Sequence, residues 1–285
     1  MQRTIGVNTW VWTSPLTDES LAELAPKIAR MGFGAIELPL ENAGDWDAAR
    51  AGDLLGSLGL VPVVIGAMGP GRSLVDRAGN VAATQAYLRT CLAAARGVGA
   101  SVVAGPFYAP TGVTWRMTTG ERTEVVAQLR RNLEPLVDEA AAAGVALAVE
   151  PLNRYETSVI NTVEQGLDAL APLFGPGLGL ALDTYHLNIE EKRPDAAIRA
   201  AAGNIAHVQV CGSDRGPVGD DHTDWPETLA ALDDAGYAGI LGLESFTGEN
   251  ATIAVAASVW RPLAASQDDL AERSLRYLTA LQASR

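Results

Sequence analysis

VALAVE (145–150), LGLALD (178–183), IAHVQ (205–209) and GILGLE (239–244) each end an apolar run on an oxygen-bearing side chain: Glu150, Asp183, Gln209 and Glu244. The intervals of 33, 26 and 35 residues between these positions are each the length of one strand–helix unit. Consecutive strands of a parallel barrel are neighbours, and their C-terminal ends open at one mouth. Three carboxylates and an amide gathered there repel one another unless a hard or borderline cation sits between them. The pattern predicts a metal site at the rim of an α/β barrel.

The rest of the chain carries the same rhythm. Short β-type runs fall at 4–8, 35–38, 62–66, 101–105, 145–150, 178–183, 205–210 and 240–244, with Ala-, Leu- and Arg-rich helical stretches between them, such as 123–143 and a closing segment at 268–283. MGFGAIEL, LGLVPVVI, VGASVVAG, AGVALAVE and AGYAGILGLE each place a glycine between a helix end and the next strand. That glycine is the residue a helix needs before the chain turns back. Eight units in 285 residues fit a (β/α)8 TIM barrel. No composition break or linker divides the chain, so residues 1–285 are expected to form one domain. A doubly wound open sheet shares the alternation, but the first strand runs into NTWVWTSP (8–15) rather than a Gly-rich fingerprint. The long connections 66–81 and 107–121 follow the third and fourth strands and are candidate lid or substrate loops.

Composition narrows the function. A net charge of −13 argues against nucleic-acid binding, which needs a basic face. The two cysteines, Cys91 and Cys211, form no zinc or redox motif, so a reduced, cytoplasmic setting is expected. The N-terminus lacks an apolar leader and no apolar run approaches ~18 residues, so neither export nor a membrane span is expected.

Glu150 and Glu244 at two strand tips suit proton exchange with opposite faces of a bound substrate. A cation held by the same carboxylates can polarise a carbonyl and stabilise a developing enediolate. Hydrolysis fits less well, since no nucleophile elbow or Ser–His pairing is present. All three histidines, His186, His207 and His222, lie within one stretch of 37 residues. DTYH places His186 three residues beyond Asp183, at the site. His207 shares the strand face of Gln209 two residues deeper, as suited to structure as to function. His222 in GDDHTDW is a loop residue. Arg215 in CGSDRG can reach a substrate hydroxyl, steady Glu244, or merely pair with Asp214 or Asp220. Glu156 in NRYE can bind terminal hydroxyls or form a salt bridge with Arg154. Trp10, Trp12, Phe107, Tyr108 and Trp115 can wall the substrate or cover the barrel end.

The phrases VEPLNRYETSVINT (149–162), LALDTYHLNIEE (180–191), GLESF (242–246) and the tail VWRPLAASQDDLAERSLRYL (259–278) resemble the xylose-isomerase-like barrel superfamily, and most closely its D-tagatose/D-allulose (psicose) 3-epimerase group. The resemblance covers nearly the whole chain, with weak stretches around 66–80 and 107–122. It implies that Glu150, Asp183 and Glu244 are metal ligands, that Glu150 and Glu244 double as the acid–base pair, and that Glu156, His186 and Arg215 contact substrate; Trp12 and Trp115, from the reading of the aromatics above, are candidate substrate contacts. The group's fourth ligand is a histidine where this chain has Gln209. A glutamine stands there in relatives similar to hydroxypyruvate isomerase, and its harder oxygen tilts preference towards Mn2+ or Mg2+, with Co2+ a further option. The resemblance also implies a homodimer or homotetramer.

The expected reaction is C3 epimerisation of a free ketose, of the D-tagatose, D-allulose/D-fructose or L-ribulose type, through a cis-enediolate. The alternative is an isomerase of a small hydroxy-carbonyl compound or a keto-inositol, which shares that intermediate. Endonuclease-IV-like repair on the same fold needs a histidine-rich zinc cluster and a basic groove, which this chain lacks. A non-catalytic sugar-binding barrel is the remaining class.

Overall fold

In the computed structural model, which describes residues 1–75 and 79–285, the apolar runs become strands and their intervals become helices. The first half of the chain runs β1 (Ile5–Asn8), α1 (Asp18–Met31), β2 (Ala35–Leu40), α2 (Ala48–Leu58), β3 (Val61–Gly66), α3 (Val81–Val98), β4 (Val102–Gly105) and α4 (Thr119–Ala143). The second half runs β5 (Ala146–Val149), α5 (Val163–Leu170), β6 (Leu178–Asp183), α6 (Thr184–Glu190), α7 (Pro194–Ala200), β7 (Ile205–Val210), α8 (Trp225–Asp234), β8 (Leu241–Leu243), α9 (Ala251–Ala256) and α10 (Gln267–Ala283). The strands form a closed barrel in sequence order, and parallel pairing of β1 with β8 (Val7 opposite Leu243) shuts it. This is the expected (β/α)8 TIM barrel.

The linking glycines do the work assigned to them. Gly32, Gly59, Gly99 and Gly144 end α1 to α4 in the left-handed conformation, with φ between +69° and +100°. Helix α4 starts four residues before the expected 123, because Thr118 and Glu121 form a reciprocal capping box. Within the first long connection, residues 76–78 lie outside those described. No helix among the described residues is long and apolar enough to cross a membrane.

Strand parity sorts the side chains into two layers. Val7, Ile36, Leu38, Val64, Val103, Leu147, Leu180, Val208 and Leu243 belong to the cluster that packs strands against helices. The alternate positions face the barrel interior, where Val63, Ile65, Ala104, Ala148 and Ala181 cluster. The interior also holds Glu37, His207 and Gln209. Glu150, Asp183, Gln209 and Glu244 each stand two residues past an interior position (Ala148, Ala181, His207 and Gly242), and therefore turn inward at the C-terminal rim. Ala148, Ala181 and Gly242 below three of them leave room for polar groups there.

Candidate active site and metal centre

Glu150, Asp183, Gln209 and Glu244 are all buried at this rim, on β5 to β8 or just beyond. Register places Asp183 beside Gln209, and hydrogen bonds from Gln209 and Arg215 tie Glu244 in. The Arg215 guanidinium donates from Nη1 to Asp183 Oδ2 at 2.5 Å and to Glu244 Oε2 at 2.9 Å. Gln209 Nε2 donates to Glu244 Oε1 at 2.7 Å. Asp183 also caps α6, its Oδ1 accepting from Tyr185 N–H, so one carboxylate both starts that helix and faces the site.

Arg215 is buried, with its backbone at φ +67° and its guanidinium 4.0 Å from the Tyr185 ring centroid and 5.2 Å from that of Phe246. The surface pairings considered for it are taken elsewhere: Asp214 binds Arg261 and Asp220 binds Arg273. Glu156 likewise does not pair with Arg154, which binds Glu190 at 2.9 Å. Glu156 instead accepts from Asn153 Nδ2 at 2.7 Å and, half-buried, has its pKa raised by desolvation.

His186, on α6, has its ring orientation settled by the backbone. Asn153 N–H donates to its Nδ1 at 3.0 Å, so the neutral ring carries its proton on Nε2. That Nε2 lies 3.5 Å from Glu150 Oε1 and 3.7 Å from Asp183 Oδ2. Burial, and then the Arg215 charge, hold the His186 pKa well below 6.5. His186 is thus a neutral donor aimed at the rim.

Burial shifts both glutamates. It raises Glu150 well above the usual carboxylate range, reinforced by the charges of Glu244 and Asp183. It also raises Glu244 to about 8, against the opposing pull of Arg215. Glu150 Oε1 is enclosed yet has no hydrogen-bond partner among the described residues. One donor atom each from Glu150, Asp183 and His186 falls within 4.8 Å of the others, a spacing at which a single ion can be held. An unsatisfied buried oxygen among hard oxygen donors fits a divalent cation. With its proton on Nε2, His186 serves better as a donor beside that ion than as a ligand to it.

Other expected residues fall further out. His207 lies below the rim, its Nε2 2.7 Å from Glu37 Oε1. His222 is exposed, contacting Ser213 and Asn188. Trp12 donates to Asp268 at 2.6 Å beneath Lys27, and with Phe246 and Trp260 lines a cavity of about 660 Å3. Trp10 packs on Phe246, centroids 5.6 Å apart, beside the Arg215 platform. Trp115 is half-buried, with its Nε1 unpartnered among the described residues. Tyr108 and Phe107 are buried, and Tyr108 Oη holds the β5 end by donating to the Glu150 carbonyl.

Sequence reasoning missed Glu37, Asn8 and Asn153. Glu37 is a lone carboxylate in the apolar run AIELPL, with the parity of the barrel interior. Asn8 ends β1 as the acidic residues end their strands, and its Nδ2 reaches Glu37 and Glu244.

Residues 25–281 match the model of the xylose isomerase-like TIM barrel family. The chain is 31% identical to an L-ribulose 3-epimerase of Mesorhizobium japonicum, over 96% of this chain and 92% of the relative. A solved L-ribulose 3-epimerase superposes with a TM-score of 0.90 at 28% identity, covering 99% of this chain and 95% of that one. The D-allulose 3-epimerase of a Methylomonas species in complex with D-allulose gives 0.87 at 28% identity, covering 98% and 97%.

Proposed function

The chain belongs to the xylose isomerase-like TIM barrel family, and on that premise we propose that it is a divalent-metal-dependent 3-epimerase of free ketoses, of the L-ribulose or D-allulose/D-fructose type. The observation that carries this reading is the enclosed Glu150 Oε1, without a hydrogen-bond partner among the described residues and close enough to Asp183 and Glu244 to feel their charges. Glu150, Asp183, Gln209 and Glu244 are the residues that would hold Mn2+ or Mg2+, with Co2+ as a third option. When bound, a divalent ion polarises the ketose carbonyl and offsets the negative charge that develops on the substrate.

The chain's own residues do the rest. One glutamate removes the proton from C3; the C–H electron pair becomes the C2–C3 double bond as the carbonyl π pair moves onto O2, giving a cis-enediolate, and this shift reverses when C3 is reprotonated. The other glutamate delivers a proton to the opposite face of C3, and the product is the C3 epimer. One carboxylate gains a proton as the other loses one, so each turnover is balanced and the pair is reset by exchange with solvent. Burial raises both glutamates above the usual carboxylate range, Glu244 to about 8, which makes either a stronger base once ionised. Arg215 Nη2 and His186 Nε2 stand 3.3 Å apart, two donors complementary to one substrate oxygen. Glu156, beside Asn153, is the acceptor for hydroxyls farther along the sugar. Trp115 and Trp12 are the lid contacts of this reading, and a homodimer or homotetramer is its assembly.

Incubation with D-fructose or D-allulose, Mn2+ and deuterated water tests the reaction. Deuterium at C3 of an inverted ketose is expected. An aldose product with label at C2 or C1 would establish the isomerase instead.

A further inference from the structure

Beneath the rim lies a carboxylate that the reaction above does not use. Glu37 has no solvent exposure, yet its Oε1 is 2.7 Å from His207 Nε2 and its Oε2 accepts from Asn8 Nδ2 at 3.1 Å and Gln209 Nε2 at 2.9 Å. Burying a carboxylate is costly unless its lone pairs are satisfied, and three side chains from β1 and β7 satisfy this one. Strand β8 makes way for it: a Cβ on Gly242 would lie 1.6 Å from Glu37 Oε1 and 3.3 Å from His207 Nε2. A solitary core polar pair would need neither Asn8 nor Gln209.

The link to Gln209 gives the arrangement a purpose. A glutamine side chain has one carbonyl oxygen and one amide nitrogen with two hydrogens. Both hydrogens are committed, one to Glu37 Oε2 and one to Glu244 Oε1 at 2.7 Å. A carboxylate ionised for metal binding only accepts, so the nitrogen is the amide atom that faces these oxygens, and the carbonyl oxygen is the amide's remaining polar atom. Only that oxygen can ligate a cation. Removing the Glu37 acceptor would free the amide to rotate and present nitrogen where oxygen is needed.

We infer that Glu37, anchored by His207, is a positioning residue that fixes the Gln209 amide so that its oxygen serves the divalent ion. The same amide then holds Glu244 in its reactive orientation. This rests on the functional reading above and adds to it the residue that lets a glutamine stand as fourth ligand. Outer contacts of this kind are worth about 10–100-fold in metal affinity.

The test is Mn2+ binding to the full chain, read by titration calorimetry and by the electron paramagnetic resonance signal of free Mn2+. Unaltered protein, Glu37→Gln, Gln209→Ala and the double variant are compared. Glu37→Gln is expected to weaken Mn2+ binding about 10–100-fold, and the double variant is expected to bind no more weakly than Gln209→Ala alone. A purely structural Glu37 would weaken binding equally in both backgrounds, which would overturn the inference. Unchanged affinity in Glu37→Gln would overturn it too. Should Glu37→Gln not fold, Glu37→Asp keeps the charge beside His207 while drawing it back from Gln209. It is expected to show the same weakening, and unaltered Mn2+ affinity in it would be equally fatal. Failure of the unaltered chain to bind Mn2+ at all is a distinct result, because it removes the functional reading itself.

Discussion

Asn153 N–H donates to His186 Nδ1 across 3.0 Å, so a backbone amide decides which nitrogen of a buried imidazole carries the proton. The consequence is measurable as pH dependence. Burial, followed by the Arg215 charge, keeps folded His186 neutral well below its ordinary 6.5. The unfolded chain takes up that proton near pH 6.5, so the unfolded state binds more protons there and stability falls as pH drops through that value. Urea unfolding between about pH 7 and 5 is expected to show a shallower loss of stability in His186→Asn than in the unaltered protein. Equal slopes would refute the buried neutral ring.

Metal binding should release protons. Burial pushes Glu244 up to about 8 and raises Glu150 in the same direction, so ligation favours the ionised forms and displaces protons held on this pair. Affinity for Mn2+ is therefore expected to rise with pH towards 8. Calorimetry at pH 7 in buffers of different ionisation enthalpy should report net proton release, and a buffer-independent enthalpy would contradict the assigned carboxylates.

Glu150→Gln and Glu244→Gln remove the two proton-transfer groups while conserving shape. Each is expected to lower ketose epimerisation about 10²–10⁴-fold with the far-ultraviolet circular dichroism of the native barrel retained. A folded variant of either kind with near-normal turnover would remove that residue from the acid–base pair.

Gly242 gives the Glu37 carboxylate its place, since a Cβ there would stand 1.6 Å from Glu37 Oε1. Gly242→Ala is expected to cost about 1–3 kcal/mol by forced overpacking, measured by urea denaturation. A neutral substitution would show that the interior accommodates the methyl group and that the close approach is dispensable.

The four rim residues were legible because each ends an apolar run, and because parallel neighbours in a barrel must converge. Glu150, Asp183, Gln209 and Glu244 needed only strand order and parity. Arg215 was ambiguous because its loop turns at φ +67°, a conformation with no sequence signature in a non-glycine residue. Glu37 was hidden by its position: in mid-strand it reads as part of an apolar run, and only the closed barrel brings it to His207 from 170 residues away. Trp10 and Trp12 illustrate a further limit. A single 3-10 turn at Thr9–Val11 decides which indole packs beside Phe246 and which ties to Asp268, and no periodicity reports that turn.

A crystal of the protein soaked in Mn2+ and measured at the manganese edge puts the central claim to its most direct test. One anomalous peak is expected at the C-terminal rim, within about 2.5 Å of oxygen atoms from Glu150, Asp183, Gln209 and Glu244. A map without a peak at that rim, or with manganese held by other side chains, would contradict the account.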